Sequence, residues 1–252
     1  MHIASARIRA ALVYLAASAI IATIVFTTVF FLWYPGPFFG AAGGFELLKV
    51  IVCVDVMLGP LCVLVIYKPG KWGLKFDLVT LALLQLCALS YGVYVLFEAR
   101  PAYVAFVKDR FEIARANAFP EGELAKGGSY ANLSRTGPRW VGVKLPTDAE
   151  EAYRLMVSGI NGVDAQYYPR YYVPYETVKR DVIAHVQPID LLRQRNPGDI
   201  PQVDALVAKT GKPETAIGFV PIRAGKSDLS AIVDRATGEI LRVSGIPPWG
   251  NV

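Results

Sequence analysis

Side chains that perform acid–base, nucleophilic or metal chemistry are scarce in this chain of 252 residues. Its only histidines are His2 and His185, and its three cysteines, Cys53, Cys62 and Cys87, all fall within apolar stretches. A hydrolytic triad would depend on His185, yet no serine lies in a GxSxG-type motif. Thiol catalysis or a thiolate zinc site would need a cysteine outside those stretches. The sequence therefore predicts no catalytic residue, no metal site and no cofactor.

Asp55 is the first residue whose type and position suggest a function. It lies near the middle of an apolar segment, residues 46–67, and a carboxylate in hydrocarbon is costly unless it faces other helices or water. At 1.5 Å of rise per residue, Thr23, Ser90 and Tyr91 lie at a similar depth in neighbouring segments. Two interpretations stand: a hydrogen-bonded link between helices, or a contact with the transmembrane helix of a partner.

A tyrosine-rich run, QYYPRYYVPYE at 166–176, is the second such feature. Tyrosine combines a large contact area with a polar tip, which suits binding interfaces. The alternative is that these rings pack in the core of their own domain. The candidate partner-binding tyrosines are Tyr167, Tyr168, Tyr171, Tyr172 and Tyr175.

The composition indicates which kind of chain must position these residues. The mean hydropathy is +0.37, 54% of residues are hydrophobic and 19% are charged, which excludes a disordered chain, a coiled coil and a disulfide-rich module. Residues 1–99 carry only six basic and four acidic side chains, and residues 100–252 carry the other 20 and 17. No run of Lys and Arg suits a phosphate backbone, so nucleic acid is not an expected partner.

Three segments of the first 99 residues are long enough to span a lipid bilayer. Residues 10–33 contain no charge, and residues 46–67 and 77–98 are nearly as apolar. Each would form a helix of about 33–36 Å, which exceeds the ~30 Å hydrocarbon core. The sequence predicts three transmembrane helices, with a kink at Gly59–Pro60 in the second.

Loop charges predict the orientation of these spans. Arg7, Arg9 and the lysines of the connection 68–76 mark cytoplasmic ends, whereas the connection 34–45 has no charge. The N-terminus is then cytoplasmic and residues 100–252 lie outside the membrane. Four aromatic residues would form a belt at the outer membrane surface: Trp33, Tyr34, Phe38 and Phe39.

The polar part, residues 100–252, has the pattern of an α+β domain with antiparallel strands. Residues 102–116 predict one long strand or two short ones, and strands are also expected at 139–146, 216–224 and 228–245. A helix should begin after Thr147, where Thr147-x-x-Glu150 forms a capping box. Short helices are expected at 175–185 and 188–195, with another after Asp199. The predicted organisation is a membrane region at 1–99 and a periplasmic domain at 100–252.

Several motifs, in the same order along the chain, resemble the TfpX/TfpZ family of type IV pilin accessory proteins. The matching pieces are WYPGPFFGAAGG (33–44), DVMLGPL (55–61), Gln85 with Tyr91-Gly92 and Ala99-Arg100-Pro101, DRF (109–111), TGPR (136–139) and PRYYVPY (169–175). The resemblance implies a multi-pass inner-membrane protein that acts on the pilin subunit, as a chaperone-like or modulating factor, before or during pilus assembly. It implies no catalytic residues.

Two other functions fit the same sequence. One is a membrane-anchored periplasmic enzyme that modifies pilin, against which the scarcity of His and Cys argues. The other is a periplasmic ligand sensor, which would need a separate transducer because the cytoplasmic segments are short. Non-enzymatic pilin binding is the favoured hypothesis, with the pilin subunit and the lipid bilayer as partners.

Overall fold

The structure is a computed structural model that describes residues 2–250, except the side chains of residues 2–4, 47, 51, 54 and 55. The chain divides into two compact units. Unit 1 comprises Met1–Leu32 and Gly43–Glu98, and unit 2 comprises Trp33–Ala42 and Ala99–Val252.

Nine α-helices occur in the described part of the chain. Their bounds are α1 His2–Thr27, α2 Phe38–Ala41, α3 Gly44–Val52, α4 Gly59–Ile66, α5 Leu74–Glu98, α6 Ala149–Ile160, α7 Tyr175–Ala184, α8 Ile189–Arg195 and α9 Ile200–Ala208. Two π-helical segments lie in the apolar region: Thr28–Trp33 continues α1, and Cys53–Leu58 joins α3 to α4.

The prediction of three transmembrane helices is wrong. Among the residues that the structure describes, two helices are long and apolar enough to cross a membrane, Ser5–Trp33 with 29 residues and Leu74–Glu98 with 25. The segment between them is divided into α3, a π-helical turn and α4. Pro60 explains the break, because proline lacks an N–H and its ring clashes with the carbonyl one turn earlier. A π-helical turn accommodates such a disruption without ending the helical path.

Unit 1 has a polar contact where its helices meet. The Tyr14 hydroxyl of α1 donates a hydrogen bond to Gln85 Oε1 of α5. The amide of Gln85 also lies where a Cβ atom on Gly59 would be, so only a glycine leaves room for it there. Gly59 and Pro60 are buried at this point. The break in the middle segment therefore coincides with an interhelical hydrogen bond.

Unit 2 is built on one sheet of seven strands. In chain order these are β1 Pro101–Val107, β2 Arg110–Arg115, β3 Arg139–Val143, β4 Tyr172–Pro174, β5 Ile217–Arg223, β6 Leu229–Asp234 and β7 Ile240–Ser244. Their order across the sheet is β4-β3-β1-β2-β5-β6-β7.

The prediction of antiparallel strands is partly wrong, because the sheet is mixed. Strands β1 and β3 run parallel, as do β2 and β5, while the other four neighbouring pairs are antiparallel. The antiparallel neighbours β1–β2, β5–β6 and β6–β7 follow one another closely in sequence. Parallel neighbours need a long crossover connection. Residues 108–138, which include β2, connect β1 to β3, and residues 116–216 connect β2 to β5.

Both faces of the central strands are covered. Along β1, Val104 and Phe106 join a core cluster with α7, whereas Tyr103 and Ala105 join a second cluster with Tyr171 and Tyr172. This division follows from the two-residue period of a strand. It explains why almost all of β1 is buried, which is typical of an inner strand.

Residues 33–42, between the first two apolar segments, belong to the core of unit 2. Phe38 and Ala41 pack with the α7-side cluster, and Tyr34 and Phe39 are also buried. Phe38 was expected in an aromatic belt at the membrane surface together with Tyr34 and Phe39. In the structure these three rings are instead buried in unit 2.

Candidate binding site

A cavity of about 580 Å³ lies in unit 2 beside the β1–β2 hairpin and α6. Its apolar wall consists of Leu145, Leu155, Met156 and Ile160. Its polar side is formed by Lys108, Arg110, Glu112, Asp164, Gln166 and Arg223. A volume in this range is typical of pockets that hold small molecules or side chains of a partner.

The hairpin turn at the cavity has an unusual backbone. Lys108 has φ +58°, and among the described residues no other non-glycine has a positive φ. The Asp109 N–H donates to the Val107 carbonyl oxygen at 2.8 Å, which makes Lys108 the centre of a three-residue turn. Such a conformation costs of order 1–3 kcal/mol and is found more often at functional sites.

Glu112, on β2, is the titratable group most affected by the cavity. Its carboxylate lies 3.1 Å from Arg110 Nε, and the strand register pairs it with Arg223 on β5. Burial nevertheless raises the pKa of Glu112 to about 7, against the opposing effect of Arg110 and Arg223. Asp164 adds to the increase by repulsion. The cavity therefore contains a carboxyl group that titrates near neutral pH.

Gln166 also lines the cavity, but its side-chain oxygen is buried behind the cavity wall. The residue is only 8% exposed. Its Oε1 atom has no hydrogen-bond partner among the described residues. A buried acceptor without a partner costs about 1–3 kcal/mol.

Helix α6 borders the cavity and turns an apolar stripe to solvent. Tyr153, Met156 and Ile160 follow helical spacing and are 62%, 56% and 78% exposed, and no residue of α6 is buried. The helix begins at Asp148, whose carboxylate accepts a hydrogen bond from the Glu151 N–H at 2.9 Å. The N-cap of α6 is therefore Asp148, one residue after Thr147, where the sequence predicted it.

The tyrosine run forms the support of α6 and of the sheet. The Tyr171 hydroxyl donates to Glu151 Oε1 of α6 at 2.7 Å, and the Tyr168 hydroxyl is hydrogen bonded to Ser158. The Tyr175 hydroxyl donates to the Gly238 carbonyl oxygen at 2.6 Å.

These five rings differ in their exposure. Tyr171 and Tyr172 are buried, while Tyr167, Tyr168 and Tyr175 are partly buried. The buried Tyr172 donates to the Gln166 carbonyl oxygen and contacts Tyr103 edge to face, with ring centroids 5.0 Å apart. The run therefore contributes residues to the core, hydrogen bonds to α6 and one residue, Gln166, to the lining of the cavity.

Asp55 lies on the π-helical turn Cys53–Leu58, and its side chain is outside the described part of the structure. The Thr23 hydroxyl, expected at the same depth, donates to the Ala19 carbonyl oxygen of its own helix at 2.8 Å. The ring of Tyr91 is 71% exposed on unit 1.

The remaining candidates for chemistry are dispersed. His185 is exposed, and its Nδ1 is 2.7 Å from the Asp181 carbonyl oxygen. In the part of the chain that the structure describes, no three His, Cys, Asp or Glu side chains form a group that could hold a metal ion.

Sequence analysis missed the cavity and its two main polar residues. Glu112 has a signal that would have found it, since it is the one acidic residue in the strand sequence RFEIAR. Gln166 was included only as the first residue of the tyrosine run. Nothing in its neighbours indicates an unsatisfied amide oxygen, because that depends on contacts between distant segments.

Three fimbrial assembly proteins of Dichelobacter nodosus are similar to this chain. The serogroup I protein is 27% identical over 176 residues, which cover 68% of each chain, and the serogroup E1 protein gives the same figures. The protein of serogroups C1 and C2 is 35% identical over 99 residues, 38% of this chain and 75% of the relative. No solved structure is significantly similar.

The model of one protein family, fimbrial assembly protein FimB, matches residues 3–43. This match covers α1 and the segment that enters unit 2. The 35% identity to a relative of which this chain covers three quarters extends the similarity beyond that segment. The chain therefore belongs to the FimB family of fimbrial assembly proteins.

Proposed function

We propose that this protein is a type IV pilus assembly factor of the TfpX/TfpZ kind. It binds the pilin subunit in the inner membrane, before or during assembly, as a non-enzymatic, chaperone-like factor. The observation that carries this proposal is the similarity to proteins named for fimbrial assembly. The two apolar helices could contact a membrane-bound subunit within the bilayer, and the polar unit could contact it beside the bilayer.

The proposed orientation has a cytoplasmic N-terminus and a periplasmic unit 2. Both long apolar helices lead directly into unit 2, whose two segments begin at Trp33 and Ala99. Arg7, Arg9 and the lysines of the connection 68–76 support this orientation, because short basic segments tend to remain in the cytoplasm.

Partner contacts are proposed for the two features that the sequence singled out. Asp55 offers a polar contact within the membrane to the helix of the partner. The tyrosine run acts chiefly by holding α6, since Tyr168 and Tyr171 are bonded to that helix. Loss of these bonds would displace the exposed stripe of α6 without removing any of its apolar residues.

Crosslinking of the full-length protein in native membranes, followed by identification of its partners, tests the proposed function. Recovery of the pilin subunit as a crosslinked partner is the expected result. Recovery of a histidine kinase or receptor without pilin would contradict it and favour a sensor. The same membranes without crosslinker are the control for association after lysis.

Substitutions of Asp55 separate its two interpretations. If Asp55 contacts a partner helix, Asp55→Leu keeps a normal protein level but abolishes pilin capture, with Asp55→Asn in between. If it only links helices of this chain, Asp55→Leu lowers the level, and capture falls in proportion. Interhelical hydrogen bonds contribute about 0.6–2 kcal/mol, so that loss should be modest. Normal level with normal capture would contradict both interpretations.

A further inference from the structure

We propose that one end of the unit 2 sheet binds the anionic headgroups of phospholipids and holds unit 2 against the bilayer surface. This end, called the basic rim, comprises residues 99–101, 115–118, 133–139, 224–228 and 244–250. The inference requires that α5 spans the membrane, and it does not depend on which protein partner is bound.

Strand direction and register bring the segments of the basic rim together. β1 begins where β2 ends, because Pro101 pairs with Arg115. β3 runs parallel to β1 and begins with Arg139 opposite Tyr103. β5 runs parallel to β2, so the β5–β6 turn and the end of β7 lie at the same end of the sheet. A Cβ atom on Gly225 in that turn would lie 2.7 Å from Arg115 Nη2, which confirms this closeness.

The length of the connecting chain places the basic rim beside the bilayer. α5 ends at Glu98 and β1 begins at Pro101, and three residue steps span at most about 11 Å. The 25 residues of α5 form a helix of about 37 Å, whose end reaches the headgroups beyond the ~30 Å hydrocarbon core. The other long apolar helix ends at Trp33. The segment after it also reaches the rim, where a Cβ atom on Gly245 would lie 4.0 Å from Pro37 Cβ.

The basic rim carries an excess of positive charge. Its charged residues are five basic and one acidic: Arg100, Arg115, Arg135, Arg139, Lys226 and Asp228. The Asp228 carboxylate already accepts hydrogen bonds from the Ala224 N–H at 3.0 Å and from Trp249 Nε1 at 2.9 Å. An anionic surface is therefore attracted to the rim with little opposing repulsion.

Three arginines of the basic rim are available to external anions. Arg115, Arg135 and Arg139 form no salt bridge with an acidic side chain in the described part of the chain. Arg135 and Arg139 are exposed. The Arg139 guanidinium lies 5.8 and 5.5 Å from the ring centroids of Tyr103 and Tyr130. These rings hold it in place without neutralising its charge.

The arrangement favours a lipid surface over a single small anion. Two strand spacings and a two-residue offset put the Cα atoms of Arg115 and Arg139 roughly 12 Å apart. The charges are thus spread along the rim, as a layer of headgroups requires. Trp249, also in the rim, is 44% exposed, and tryptophan is enriched at membrane–water interfaces.

The test uses the full-length protein in lipid nanodiscs, with a fluorescent amino acid in place of Ser227, an exposed residue of the basic rim. Nitroxide groups on lipid headgroups quench a fluorophore that lies near them. Adding phosphatidylglycerol to phosphatidylcholine discs should strengthen the quenching at least about twofold, and high salt should remove the difference. The matched control replaces Ala236, exposed in the turn at the other end of β6, where lipid charge should have no effect.

Substitutions of exposed basic residues test the role of charge. Arg135→Gln with Lys226→Gln should abolish most of the phosphatidylglycerol-dependent quenching at 227, since each charge near an anionic surface strengthens binding about fivefold. Arg135→Lys with Lys226→Arg keeps both charges and should retain it. Lys144→Gln with Lys209→Gln removes two exposed charges outside the rim and should also retain it. All three variants should keep the wild-type melting temperature, because these side chains are exposed.

Three outcomes would overturn the inference. The first is equal quenching at 227 in both lipid mixtures, including the case in which an acidic protein is captured there instead. The second is stronger quenching at 236 than at 227. The third is an unchanged dependence on phosphatidylglycerol in the variant without the two rim charges. Pilin capture is a separate measurement, so the proposed function stands or falls independently of these results.

Discussion

Glu112 shows how position within a sheet determines the behaviour of a carboxyl group. Two guanidinium groups, those of Arg110 and Arg223, lie near it and favour its charged form. Burial outweighs both of them and raises its pKa to about 7, and Asp164 adds repulsion. The charge of the cavity therefore changes around neutral pH, as this carboxyl group titrates.

This pKa predicts a loss of stability as the pH rises from about 4.5 to about 7. In that interval the folded state binds more protons than the unfolded state, so the free energy of unfolding decreases with pH. Glu112→Gln stays neutral, and its melting temperature in detergent should gain on the wild type between pH 5 and pH 8. The gain corresponds to at most about 3 kcal/mol, since one pKa unit is about 1.4 kcal/mol.

Glu150→Gln is the matched control for Glu112→Gln. Its carboxylate is exposed on α6, so its removal should leave the pH dependence of the melting temperature unchanged. A gain that is independent of pH in Glu112→Gln would contradict the raised pKa. It would point instead to a change in packing at the cavity.

Single residues were predictable where their role is local. The acidic start of α6 follows from sequence, and the structure confirms a cap there, although Asp148 rather than Thr147 accepts the bond. The raised pKa of Glu112 and the unpartnered oxygen of Gln166 were not predictable, because both depend on burial by segments that are distant in sequence.

At the scale of elements, local sequence patterns predicted which helices and strands form better than they predicted how these elements are arranged. Residues 102–116 form two short strands, and the expected helices at 175–185 and 188–195 are confirmed. The helical spacing after Thr147 predicted α6, but it cannot tell whether an apolar stripe faces the core or solvent. The parallel direction of β2 and β5 could not be predicted from local patterns either, because this pairing joins residues about a hundred positions apart in sequence.

The break between α3 and α4 leads to a prediction about Gly59. Gly59→Ala places a methyl group where the Gln85 amide lies, which should disrupt the Tyr14–Gln85 hydrogen bond. We expect a loss of about 0.6–2 kcal/mol, the value of an interhelical hydrogen bond, as a lower melting temperature in detergent. In a Gln85→Ala background the same change should cost clearly less.

Gly198→Ala is the control for Gly59→Ala, because no atom lies within 4 Å of a Cβ atom at that position. Equal effects of both substitutions would show that the loss at Gly59 arises from the backbone alone. Equal cost of Gly59→Ala with and without Gln85 would show that the two residues do not interact.

At the scale of the whole molecule, the two units predict a topology that fusions can measure. Alkaline phosphatase is active only outside the cytoplasm. Fused after Val252 it should be active, because unit 2 is proposed to be periplasmic, and fused after Lys71 it should be inactive. The reverse pattern would contradict the proposed orientation and any contact of unit 2 with periplasmic pilin.

Residues 33–42 are synthesised long before the residues of unit 2 that they pack against. Phe38 and Ala41 are translated early, yet their neighbours Val178 and Val220 are made far later. At ~5–20 residues per second, about 10–40 s pass before the last strand is complete. During that interval the aromatic segment lacks most of the core residues that later bury it. A fragment that begins at residue 99 lacks Phe38 and Phe39 altogether, so its sheet would fold around a void.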